Sequence, residues 1–166
     1  MRAEPPTASV TNGAITPAAR CSLTLNLVSS TSTEKDVEVI AIRINPGEDL
    51  RQSLLQYCID QEIDAAYLLS CVGSLRQAVI RFANQPEGTV FEQKLEIISL
   101  AGTLSQQGIH LHIAVSDSAG QVIGGHLMEG STIHTTAEIV LGIVPNTIFR
   151  REIDPLTGYR ELKITR

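Results

Sequence analysis

The chain has no tryptophan, and aromatic residues make up only 4% of it, so any core it builds must be aliphatic. It has three cysteines, Cys21, Cys58 and Cys71. They are too few and too scattered for a disulfide framework or a C-x-x-C metal knuckle. An odd number suits a reducing compartment, where buried thiols act as small hydrophobes. Lysine is scarce, at Lys35, Lys94 and Lys163, and thirteen basic against eighteen acidic residues leave a formal charge of −5. Nucleic-acid binding works largely by neutralising phosphates, so no direct nucleic-acid partner is expected. No apolar run reaches the ~18 residues of a membrane span, and the N-terminus lacks the apolar stretch of a signal peptide. A cytoplasmic protein without a membrane partner is the expectation. Also missing are a G-x-S-x-G elbow, a glycine-rich phosphate loop opening a helix, and H-E-x-x-H.

What is present is a chain of 166 residues, 43% hydrophobic and 19% charged. That is enough for one core, burying roughly 70% of the surface the unfolded chain exposes. Residues 1–20 read as a flexible leader, with Pro5, Pro6, Gly13 and Pro17 among small polar residues. Residues 21–166 read as a single domain. Ser22 to Leu27 alternates with the period of a half-buried strand, and Val37 to Ile44 is a second strand closed by Asn45-Pro46-Gly47. One helix follows. Asp49 with Gln52 resembles a capping box, Leu50, Leu54, Tyr57 and Cys58 form an apolar stripe, and the end falls near Ile63.

Strand patterns then run Ala65 to Val72, Arg76 to Ala83, Val90 to Ile98, Leu100 to Leu104, His110 to Asp117, Gln121 to Met128 and Thr132 to Val144. A last pair lies around Arg150 and Leu162. In that closing hairpin, Ile153 opposite Tyr159 would set Arg151 against Glu161. The order predicts an α+β fold on an antiparallel or mixed sheet. A helix of about 15 residues, about 22 Å long, cannot cover eight or so strands. Yet Ala66 to Val72 and Ile139 to Val144 are apolar on consecutive residues. Either the sheet closes on itself or another subunit covers a face, and a homo-oligomer is the favoured expectation.

The chemistry concentrates in one hairpin. A three-residue loop, Ser118-Ala119-Gly120, sets Asp117 opposite Gln121. Val115 then faces Ile123, Ile113 faces Gly125 and Leu111 faces Leu127, which makes one face apolar throughout; the pattern selects this register or one shifted by two. On the other face His112 lies opposite His126, β-carbons about 4.5–5.5 Å apart, with His110 as the diagonal neighbour. Ala114, Gly124 and Gly125 leave space beside them. Three imidazoles can hold zinc and leave a fourth position open; solvated or hydrogen-bonded strand histidines are the plainer alternative. His134 has no determined facing. Glu138, after Thr135-Thr136-Ala137, is a candidate acceptor behind the histidines or an ordinary strand carboxylate. Gly124-Gly125 inside a strand marks a close backbone approach or a bulge.

Taken together, Glu96 to Ser105, His110-Leu111-His112 with Ser116-Asp117, Gly124-Gly125-His126-Leu127, Thr135 to Glu138 and the closing Thr157-Gly158-Tyr159 with Glu161-Leu162 resemble the plants and prokaryotes conserved (PPC) domain. The resemblance runs from about Val37 to Ile164. It implies a curved, largely antiparallel sheet with one main packed helix, assembled as a homotrimer that mediates protein contacts. Plant members carry DNA-binding AT-hooks ahead of this domain; no Arg-Gly-Arg-Pro hook occurs here, so DNA binding does not carry over. The resemblance also implies zinc at His110, His112 and His126. Three functions follow as expectations: a trimerisation and interaction module with a three-histidine zinc site; a zinc-dependent hydrolase or lyase with Glu138 or Asp117 as candidate base; or a DNA-associated regulator acting through a protein partner.

Overall fold

The computed structural model describes residues 36–166. The leader at 1–20, the strand at Ser22 to Leu27 and Cys21 lie outside the described residues. The elements are β1 (Glu38–Ile44), α1 (Leu50–Asp60), β2 (Ala66–Arg81), β3 (Thr89–Phe91), β4 (Leu95–Ser105), β5 (Gly108–Ser116), β6 (Val122–Leu127), β7 (Thr132–Ile143), β8 (Ile148–Ile153) and β9 (Arg160–Thr165).

The helix begins where its cap predicts: Asp49 Oδ1 accepts the Gln52 N–H at 2.8 Å. It ends earlier than the sequence reading placed it, at Asp60, because Glu62 turns to φ 52°. The Ile63 N–H reaches the Cys58 carbonyl at 2.8 Å and the Glu62 N–H reaches that of Ile59 at 3.1 Å. This double closure is the glycine-preferring helix stop, here made with glutamate. Glu62→Gly is therefore expected to stabilise the fold by about 1 kcal/mol, read as a higher urea midpoint. An unchanged or lower midpoint would count against the strain.

The core is aliphatic, as the missing tryptophan implies. Leu50, Leu54, Leu75, Leu104, Leu111, Leu127, Ile133, Ile139 and Leu141 are fully buried, and α1 presents Leu50, Leu54 and Cys58 to it. The Cys58 and Cys71 thiols are free and buried, and desolvation pushes them up to about 11 and about 12. They fill space and do not react.

Seven strands form one sheet in the order β1-β7-β2-β4-β5-β6, with β3 on β2, and every pairing is antiparallel. A further pairing joins Ile80 and Arg81 of β2 to Leu127 and His126 of β6. The ring β2-β4-β5-β6 therefore closes, and the sheet coils on itself as one of the two expected solutions to its two-sided hydrophobicity. Closure depends on β2 being one bent strand, where the sequence pattern suggested two. Gly73, at φ 146°, takes the place of a break. A β-carbon there would land on the Thr136 carbonyl, so the chain bulges against β7 and continues. The predicted strand Val90 to Ile98 instead divides at the polar run Glu92-Gln93-Lys94, and Leu95 joins the strand containing Leu100 to Leu104.

Gly124 and Gly125 serve the closure. A β-carbon on Gly124 would lie 2.7 Å from the Ile113 carbonyl oxygen, and one on Gly125 would lie 2.7 Å from that of Arg81. This is the close approach on both flanks of β6 that paired strand glycines announce. Closure leaves exposed apolar residues on one outer face: Val39, Leu69, Val72 and Ile98 on β1, β2 and β4 are each about half exposed or more, beside the opposed Arg43 and Glu138. The remaining strands, β8 and β9, form a separate hairpin. Its place is set by Ser105, whose buried hydroxyl donates to the Phe149 carbonyl at 2.8 Å, and by the Phe149 N–H on the Asp64 carbonyl at 2.9 Å.

Candidate metal centre

Of the two registers its apolar alternation allows, the β5–β6 hairpin forms in the one set by the three-residue loop. Asp117 N–H donates to the Gln121 carbonyl at 3.0 Å. The ladder then runs Ser116↔Val122, Val115↔Ile123, Ala114↔Gly124, Ile113↔Gly125 and His112↔His126. Val115, Ile113 and Leu111 point into the core, so period two sends His110 and His112 to the outer face, where His126 meets them.

The ring centroids are 5.1 Å apart for His110 and His112, 4.6 Å for His110 and His126, and 5.4 Å for His112 and His126. One nitrogen from each ring lies within 4.8 Å of the others. Nε2 of His110 is 3.3 Å from Nε2 of His112. Nitrogen ligands at 2.0–2.1 Å on a tetrahedral zinc stand about 3.3 Å apart. This pair already has that spacing, and the third nitrogen needs only a small side-chain adjustment. Donor type and spacing fit zinc.

Arg151 sets the state of the rings without a metal. Its Nη2 donates to Thr103 Oγ1 and its Nη1 lies 3.3 Å from His110 Nδ1. A guanidinium has no acceptor, so Nδ1 accepts. The proton of neutral His110 then sits on Nε2 and points at His112.

Burial lowers the pKa of His110, with Arg151 and His112 adding to the effect and Glu161 opposing it. Burial also brings His126 down to about 4, reinforced by His110, Arg81, His112 and Arg51. Both rings are thus neutral near pH 7, the form that binds metal. The linkage has a definite sign. Between pH 6.5 and about 4 the unfolded chain holds a proton at position 126 that the folded chain refuses, so stability rises with pH there and declines on acidification. The Tm of metal-free protein is expected to fall across that window, and to fall less in His126→Gln. Identical declines would remove His126 as a cause.

The other sequence candidates lie elsewhere. Asp117 Oδ1 accepts the N–H groups of Ala119 at 2.9 Å and Gln121 at 2.9 Å, fastening the hairpin loop. Glu138 stands opposite Arg43 on β1 and Val72 on β2. His134 is on β7 and is not among the clustered histidines. None of the three lines the cleft beside the rings.

Sequence reasoning missed the arginines around the rings. The register of the closing hairpin is one residue away from the expected one: Ile153 pairs with Arg160, and Arg151 with Leu162 rather than Glu161. The reason is Asp154. It closes the turn itself, through its N–H to the Tyr159 carbonyl and its carbonyl to the Gly158 N–H, both 2.8 Å, so Tyr159 is taken by Asp154 and the partner of Ile153 moves on to Arg160. Arg151 takes Thr103 and His110 as partners. Nothing along the chain signals a contact spanning 41 residues between two separate sheets.

Comparison with known proteins agrees with the fold. A bifunctional protein GlmU from Synechococcus sp. (strain JA-3-3Ab) is 46% identical over 128 residues, covering 77% of this chain and 21% of that protein. The chain spans about a fifth of the length of the curated relatives it matches. A hypothetical protein from Salmonella cholerae-suis superimposes with a TM-score of 0.77 at 37% identity, over 81% of this chain and 96% of that one. A metal-containing protein from Archaeoglobus fulgidus does so with a TM-score of 0.67 at 25% identity, over 78% and 96%. Residues 31–145, which include the coiled sheet and all three clustered histidines, match the family's sequence signature. The chain therefore belongs to the Plants and Prokaryotes Conserved (PCC) domain family.

Proposed function

We propose that the chain is an assembly and interaction module whose His110, His112 and His126 hold zinc. The observation that carries this reading is the 3.3 Å separation of the His110 and His112 Nε2 atoms, with a third ring across the hairpin. The Archaeoglobus fulgidus neighbour, described as metal-containing, supports it. For His110 to ligate through Nε2, Nδ1 must carry a proton, so Arg151 has to give up that contact on metal binding.

Assembly as a homotrimer is supported by the exposed apolar face of Val39, Leu69, Val72 and Ile98. Such a patch marks a contact surface. It adjoins the site, because Ala101, an outward residue of β4 just past the bulge between Ile97 and Ser99, pairs with His112. The chain's charge of −5 supports a protein partner over direct DNA contact, and its free thiols support a reducing, cytoplasmic setting. Light scattering is expected at three times 17.9 kDa; a monomer would defeat the assembly reading. Protein purified without a polyhistidine tag should carry close to one zinc per chain, and His112→Ala should carry at least tenfold less. Equal metal content would defeat the site.

A second reading, a zinc-dependent hydrolase or lyase, is favoured by the open cleft of about 1060 Å³ beside the rings, in which Glu161 is the lining carboxylate. Zinc on three histidines makes a fourth-position water acidic. Turnover on an ester and phosphoester panel, lost in His112→Ala, would select this reading; no turnover selects the module.

A further inference from the structure

The cleft beside the histidines has an electrostatic character that neither the family nor a metal accounts for. The chain as a whole is acidic, at −5. Yet the cleft is lined by Arg51, Arg81, Arg151 and Arg160 against a single carboxylate, Glu161. Two of the arginines are occupied: Arg51 pairs with Glu129 at 3.0 Å, and Arg160 donates to the Arg151 carbonyl at 3.1 Å. The other two contact only uncharged groups: Arg81 Nη1 donates to the Gln85 carbonyl at 3.4 Å, and Arg151 reaches Thr103 and His110. Among the described residues no carboxylate lies within ion-pair distance of Arg81 or Arg151. They flank the ring cluster, Arg81 opposite His126 in the β2–β6 ladder and Arg151 on His110. Arg151 and Arg160 lie beyond the residues 31–145 that define the family match, so this charge belongs to the closing hairpin of this chain.

A partly desolvated guanidinium is costly without a direct ion pair, and Glu161 acts on Arg151 only from beyond that distance. Arg151 is nonetheless held in place, by Thr103 and His110. Two guanidinium forks without a direct carboxylate partner, beside the imidazole rings, match a ligand with two negative charges and several acceptor oxygens. A phosphate monoester has both, carrying about −1.5 to −2 near pH 7, and guanidinium groups engage its oxygens in paired hydrogen bonds. A carboxylate supplies only one charge. The cleft is larger than a bare phosphate needs, and Leu55, Ile109 and Tyr159 on its walls offer apolar and aromatic surface to an organic group.

We propose that this cleft is a binding site for an organic phosphate monoester, its phosphate between Arg81 and Arg151 and its organic part against Tyr159 and Leu55. The site stands on the arginines and needs no zinc, and Arg151 keeps its His110 contact only in the metal-free chain, so it is tested on metal-free full-length chain.

Calorimetric titration with AMP, adenosine, inorganic phosphate and acetate supplies the probes. AMP is expected to bind at least tenfold more tightly than adenosine, phosphate detectably, and acetate at least tenfold more weakly than phosphate. Arg81→Gln and Arg151→Gln should each weaken AMP at least tenfold. Arg150→Gln, an exposed neighbour on β8, should change nothing. Arg81→Gln is the decisive variant because Arg81 does not anchor the hairpin, and an unchanged Tm certifies its fold. Equal binding of AMP and adenosine, equal binding of phosphate and acetate, or full AMP affinity in Arg81→Gln would each overturn the proposal. So would retention of a DNA duplex, sensitive to the same variants, without AMP binding. Metal content of His112→Ala is a separate readout, so loss of the zinc reading leaves this one standing, and the reverse.

Discussion

Gly102→Ala is expected to lower the stability of the fold by about 3 kcal/mol or more, a large part of the 5–15 kcal/mol a domain of this size has. Gly102 sits inside β4 at φ 149°, where an L side chain is strained by about 1–3 kcal/mol. It is also squeezed between strands. A β-carbon there would land on the carbonyl oxygen of His110, with the Leu111 Cα only 3.0 Å away. The strain cannot relax without parting β4 from β5, and β5 carries two of the three histidines. Gly120→Ala is the comparison. That residue also has positive φ, 77°, but nothing lies within 4 Å of the position its β-carbon would take, so the loss there should be about 1 kcal/mol. Urea unfolding of both variants checks the argument, and equal losses would show that close approach is not what Gly102 provides. Because the clash falls on His110, Gly102→Ala is also expected to impair metal retention where it still folds.

Zinc, on the proposed reading, is expected to stabilise the metal-free chain strongly. A ligand bound only by the folded state at a thousand times its Kd contributes about 4 kcal/mol, on the order of 10 °C in Tm for a chain of this length. The hairpin presents the ring nitrogens near ligand spacing before any metal arrives, so little ordering energy is lost on binding. The one rearrangement required is the departure of Arg151 from His110 Nδ1. Thermal melts with and without zinc test this, with His112→Ala alongside. The wild-type shift should vanish in the variant. A shift of the same size in both would place zinc elsewhere on the chain, and no shift in either would remove the zinc reading.

The two predictions draw on different kinds of information. The histidine hairpin was legible because everything that sets it is local. A three-residue loop ending in glycine and an unbroken apolar alternation leave two registers, offset by two residues, and the ladder from Ser116↔Val122 to His112↔His126 is the one the loop favours. The helix start was legible for the same reason, through Asp49 and its bond to Gln52 N–H. The helix end was not. A glutamate in the left-handed region carries no signature in the sequence, and tertiary burial of Ile63 and Cys58 holds it there.

By itself, the order of residues determined an aliphatic core, an antiparallel or mixed sheet with one helix, and which three histidines share a face. These follow from composition, period two and turn chemistry, which act over a few residues. The folded chain alone decided that Gly73 bends β2 instead of ending it, that β2 closes the ring onto β6, and that Arg81 and Arg151 arrive on either side of the histidines. Each of these depends on contacts between residues tens of positions apart. Such contacts form only when burying the whole core outweighs the chain entropy lost in bringing them together, and no short stretch of sequence carries that balance.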